Sequence, residues 1–137
     1  MSTIRISKGL RVLGFGAVSL IAVASAALAA DLAKEAATAS QYAGMAGSAT
    51  DLKTLDSHLH MAINCLVGPK GKGFDAKVAN PCKDLGSGAI ADATSNAADK
   101  KILKQALAKA EAGLVQKDLA KAKSDAIASE TLLKKVM

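Results

Sequence analysis

In residues 51–69, DLKTLDSHLHMAINCLVGP, five apolar side chains recur at spacings of three and four: Leu52, Leu55, Leu59, Ile63 and Leu66. At 100° per residue they fall within a stripe of roughly 80°, the width of a helix seam that faces a core. Thr50 or Asp51 offers a side-chain oxygen to cap the start of this helix, and Gly68-Pro69 stops it.

Weaker helical patterns flank this one. Residues 31–46 carry Leu32, Ala36, Ala39, Ala43 and Ala46 on a narrow face, with Tyr42 and Met45 as the bulk near its end. Asp31 and Glu35 stand near its start, where negative charge suits the macrodipole, and Gly44, Gly47 and Ser48 weaken and end it. A third helix starts at Thr94, Ser95 or Asn96, turns Ile102, Leu103, Ala106, Leu107 and Ala110 to one side, and ends at Gly113. A fourth begins near Gln116 or Asp118 and runs to the C-terminus with Leu119, Ala122, Ala126, Leu133 and Val136 inward. Lys121 and Asp125 form an outward i,i+4 pair on it. The expected fold is all-α: a small four-helix up-down bundle of two hairpins, with a long loop over residues 67–93 between the second and third helices. Phe74, Val78, Leu85 and Ile90 are spaced along that loop as apolar plugs.

The first 29 residues read as a cleaved signal peptide, leaving residues 30–137 as one helical domain. Arg5, Lys8 and Arg11 precede an apolar run from Val12 to Ala24, and Ala27-Leu28-Ala29 supplies an A-x-A cleavage site. The run is shorter than the roughly 20 residues that a membrane-spanning helix needs. Export to the periplasm, or secretion, is the expected address. Cleavage removes three basic residues and no acid, so the formal charge falls from +6 to +3. Every basic residue after position 29 is a lysine, and Tyr42 and Phe74 are the only aromatics there. With no arginine fork and few rings for bases to stack on, the composition argues against nucleic-acid binding.

Cys65 and Cys82 are the only cysteines. In an oxidising compartment they read as one disulfide, which at this loop size is worth about 3 kcal/mol in the chain-entropy model. Two thiolate metal ligands would be the alternative use. A redox-active pair is disfavoured because the C-x-x-C spacing is missing.

The metal-ligating candidates lie on the second helix. His58 and His60 diverge by about 200° on a helix and cannot share one ion. His58, Met61 and Cys65 line one flank, a set suited to copper; Asp56, His60 and Asn64 line the other, where imidazole with carboxylate suits zinc or divalent copper. Either flank needs ligands from elsewhere, such as Asp75, Asp84, Asp92 or Met45. His58 with Met61 is the preferred pair, His60 the weaker candidate, and copper the one cofactor implied. The plainer reading has both histidines edging the apolar seam and bonding to nearby backbone or carboxylates.

Gly68-Pro69-Lys70-Gly71-Lys72-Gly73 is glycine-rich but follows a helix and lacks the lysine and hydroxyl of a phosphate-binding loop. Ser57 and His58 are adjacent, hence about 100° apart on a helix, and no carboxylate is fixed beside them. No enzyme is expected. The resulting expectation is a non-catalytic exported protein that meets a protein partner or small ligand through the stapled loop, with Lys70, Lys72, Phe74 and Asp75 as contact residues. A periplasmic copper-binding protein is the alternative.

Overall fold

The structure, a computed structural model, describes residues 30–137, so the expected signal peptide lies outside the described residues. It is all-helical: α1 Leu32–Gly47, α2 Leu52–Val67, α3 Ala89–Asp92, α4 Ala97–Val115 and α5 Leu119–Leu133. Each long helix begins on an Asx cap. Asp31 accepts from the Lys34 N–H, Asp51 from Thr54, Asn96 from Ala98 and Asp99, and Asp118 from Lys121, satisfying amides that have no partner within their own helix.

α1 packs on α2 and on α5, α4 packs on α5 and on α2, and the short α3 touches α1, α2 and α4. Leu55, Leu59, Ile63, Leu66, Leu103 and Leu133 are the bulky side chains of the core. Most of them come from α2. The other helices meet this ridge largely through alanines: Ala36, Ala39, Ala43 and Ala46 from α1, Ala106 and Ala110 from α4, Ala122 and Ala126 from α5, all fully buried. Small side chains let helix axes approach, and close approach replaces bulk as the source of contact. Between α4 and α5 the buried Ser129 hydroxyl donates to the Ala106 carbonyl at 2.8 Å.

Gly47 ends α1 with Ser48 as its cap, as expected, whereas Gly113, expected to end its helix, lies inside α4. A Cβ on Gly47 would meet Ile127 Cγ1 of α5 at 2.7 Å, and one on Gly113 would meet Leu59 Cδ1 of α2 at 2.7 Å. Both are contact points between helices, and α4 runs on to Val115. The 67–93 stretch is not wholly irregular, since Ala89–Asp92 forms α3 and buries Ala89. Phe74, Leu85 and Ile90 pack against the core from this region, as plugs should. The expected Lys121–Asp125 pair is replaced: Asp125 turns toward α4, lying 3.7 Å from Lys109 Nζ and accepting from Gln116 Nε2 at 3.1 Å. Facing α4 half-buries that carboxylate, where a lysine of the neighbouring helix reaches it.

Glu35 stands in the first turn of α1, as expected, and is fully buried there. Among the described residues no helix is long and apolar enough to cross a membrane.

Candidate functional site: the stapled loop

The loop leaves α2 at Gly68 and returns at Gly88, and these two glycines touch. Gly68 has φ 67° and Gly88 φ 111°, conformations that cost a glycine little. A Cβ on Gly68 would stand 1.8 Å from the Ser87 carbonyl oxygen, and one on Gly88 would stand 2.5 Å from the Gly68 nitrogen. Below this neck, Cys65 and Cys82 are joined, with Cα atoms 5.1 Å apart, and both are buried. Their sulfurs are therefore not thiolates, which removes the reading of two cysteine metal ligands and takes Cys65 out of the His58 flank.

Asn64, one residue before the staple and fully buried, holds the loop's far side. Its Nδ2 donates to the Asp75 carbonyl at 2.9 Å, with the Ala79 and Val78 carbonyls at 3.3 and 3.4 Å, and its Oδ1 accepts the Asp75 N–H at 2.8 Å. A side-chain amide with two donors and one carbonyl is suited to this, because it serves both polarities of a backbone that has left regular structure. Two Asx turns shape the remainder: Asp75 Oδ1 accepts from the Lys77 N–H and Asn80 Oδ1 from the Cys82 N–H. Asn80-Pro81-Cys82 is thus a turn that presents the cysteine inward.

The loop's exit is held by Glu35 and Asp92. Glu35 Oε1 accepts the Gly88 N–H at 3.0 Å, and Asp92 Oδ2 accepts the Ser87 N–H at 2.7 Å. A Cβ on Gly86 would lie 2.7 Å from Glu35 Oε1 and 2.2 Å from Asp92 Oδ2, so only glycine fits there. Burial pushes the Glu35 carboxyl up to about 7, the Gly88 N–H opposes the rise, and Asp92 and Asp31 add to it. Glu35 Oε2 is buried without a hydrogen-bond partner. Glu35 was read from sequence only as a helix-start charge, although its spacing of four from Ala39 and eight from Ala43 places it on the buried face.

The expected contact residues divide into two kinds. Lys70 and Lys72 are exposed, whereas Phe74 is half-buried against the core and Asp75 is half-buried with its backbone bound to Asn64. The expected metal ligands are also separated. His58 lies beside Tyr42, ring centroids 6.2 Å apart, with Nδ1 buried and unpartnered. His60 Nδ1 lies 3.9 Å from Asp75 Oδ2, also without a hydrogen bond. Met61 is half-buried on α2. Among the described residues no group of three or more His, Cys, Asp or Glu side chains is arranged to hold a metal ion.

Beside the loop a groove of about 510 Å³ opens between Val67, Gly71 and Lys72 on one side and Ile90, Ala91, Lys100, Lys104 and Leu107 on the other. Sequence reasoning missed it because the groove joins three segments distant in the chain. No protein-family model matches this sequence, and comparison with curated proteins and with solved structures found no match.

Proposed function

We propose that this chain is an exported, non-catalytic binding protein in which four long helices, taken as an up-down bundle, carry a stapled loop that meets a partner or ligand. The observation that carries this reading is the grip of Asn64 on Asp75, which together with the disulfide fixes the loop while Pro69, Lys70 and Lys72 stand exposed. A pre-set surface loses little ordering entropy on association. The polar groups that hold the loop support a binding role over a chemical one, since Asn64, Asn80 and Glu35 are engaged with backbone. The disulfide fits an oxidising compartment.

A photo-crosslinking residue placed at Lys70 in the exported protein should give a discrete adduct in its native compartment, and one at Lys121 on α5 should not. Equal labelling from both positions, or none from either, would overturn the reading.

The alternative is a copper-binding protein. What favours it is His60 Nδ1, buried, unpartnered and 3.9 Å from Asp75 Oδ2, an imidazole and a carboxylate that suit a divalent ion. His58 with Met61 remains the other candidate pair. Copper titration of the oxidised protein separates them: His60→Ala should weaken binding in the first arrangement and His58→Ala in the second, by at least tenfold, about 1.4 kcal/mol. Undiminished binding in both variants would dismiss both ligand sets, and no saturable binding to the native protein would dismiss the metal.

A further inference from the structure

From the groove beside the stapled loop we infer a binding site for a small amphipathic carboxylate, an apolar tail bearing one anionic head. This rests on the binding reading above and names its ligand class. Val67, Ile90 and Leu107 give the groove an apolar floor, and Lys72, Lys100 and Lys104 stand around its rim. Its volume of about 510 Å³ suits one small molecule.

The lysines of this rim are free of direct ion pairs among the described residues, where Lys34, Lys109 and Lys134 form them. The acids nearest in the chain make other contacts: Asp99 accepts from the Asn96 side-chain amide, Asp92 accepts the Ser87 N–H, and Glu111 Oε1 lies 3.6 Å from where a Cβ on Gly73 would stand. Three cations near an apolar floor repel one another, and an anionic head among them relieves that repulsion while its tail leaves water.

The floor also argues for a single molecule over a lipid surface. Ile90 and Leu107 are half-buried at the bottom of the groove, and the large apolar side chains that stand exposed, Met45, Val115, Ile127 and Met137, belong to other parts of the molecule. A membrane needs apolar groups that project; a tail needs a channel that receives it.

The test is an amide-resolved NMR titration of the oxidised protein with decanoate, decanol and decylammonium, each below its aggregation concentration. Decanoate should give saturable, one-to-one shifts at Val67, Ile90 and Leu107, with decanol at least tenfold weaker and decylammonium inactive. The double change Lys100→Gln with Lys104→Gln should weaken decanoate at least fivefold at unchanged melting temperature. Ala91→Glu, which puts a like charge at the exposed mouth, should weaken it as much. Equal binding of decanol, absence of saturable shifts, or sedimentation with anionic phosphatidylglycerol vesicles without decanoate binding would each overturn the assignment. If decanoate fails while crosslinking at Lys70 succeeds, the ligand class is wrong and the binding reading stands.

Discussion

Asn64 and Asp75 are bonded to each other twice: the side-chain amide of one donates to the backbone carbonyl of the other at 2.9 Å, and its carbonyl accepts the matching N–H at 2.8 Å. This is the pairing two strands would make, supplied here by one side chain. Asn64→Ala leaves a loop N–H and carbonyl without partners in a buried setting and should cost about 3 kcal/mol, read as a lowered urea midpoint. Asn64→Leu should be at least as damaging. A loss below about 1 kcal/mol would mean that water replaces the amide.

Reduction should separate the two devices that hold the loop. Opening Cys65–Cys82 should lower stability by about 3 kcal/mol in the chain-entropy model, with the helical far-ultraviolet signal retained at room temperature because Leu55, Leu59, Leu103 and Leu133 stay packed without the bridge. Denatured, unreduced protein should react with no thiol reagent.

The pH dependence has two sides. The folded-state pKa of Glu35 is raised from an ordinary 4.5 to about 7, so its contribution is present in full below the unfolded value and is lost as pH rises through about 7. The Asp31 and Asp51 caps act in the opposite sense. Lys34 beside the first and the Thr54 N–H on the second hold both carboxyls below their ordinary value, so what they add is lost as pH falls. Between about pH 5 and pH 8 the native protein should lose up to about 2 kcal/mol, measured by urea unfolding. Glu35→Gln keeps an acceptor for the Gly88 N–H and should flatten that slope. An unchanged slope in the variant would assign the titration to another group.

Two glycine contacts of equal closeness should answer substitution differently. Ile127 beside Gly47 is 48% exposed and can swing aside, so Gly47→Ala should fall within about 0.5 kcal/mol of the native protein, helix propensity offsetting the adjustment. Leu59 beside Gly113 is 0% exposed, with the Ala122 carbonyl oxygen 3.3 Å away on the other side. There Gly113→Ala should cost about 1–2 kcal/mol by overpacking, visible as a lower melting temperature.

How legible these arrangements were depends on whether the partners lie along one helix. The α2 seam and its Asp51 cap were legible because Leu52 through Leu66 repeat at the helix period, which burial enforces locally. The disulfide followed from there being two cysteines. Asn64 was placed on a flank of α2, but its task could not be read there, since the carbonyls it serves belong to a loop with no period. Gly47 and Gly113 were read as helix weakeners because glycine's local cost is visible in sequence, whereas the side chain of another helix against it is not. The four residues of α3 are too short to show a period, and the groove that α3 helps to line was hidden with them.

The touching of Gly68 and Gly88 bears on how such a protein can diversify. Because the intervening segment starts and finishes at nearly one point, its exposed positions, Lys70 and Lys72 among them, can change without moving either helix it joins. Phe74, Asp75 and Cys82, each bound to the bundle, are held back from such change. A lineage can therefore vary the exposed residues between two fixed glycines, while the scaffold's alanine contacts stay under separate selection.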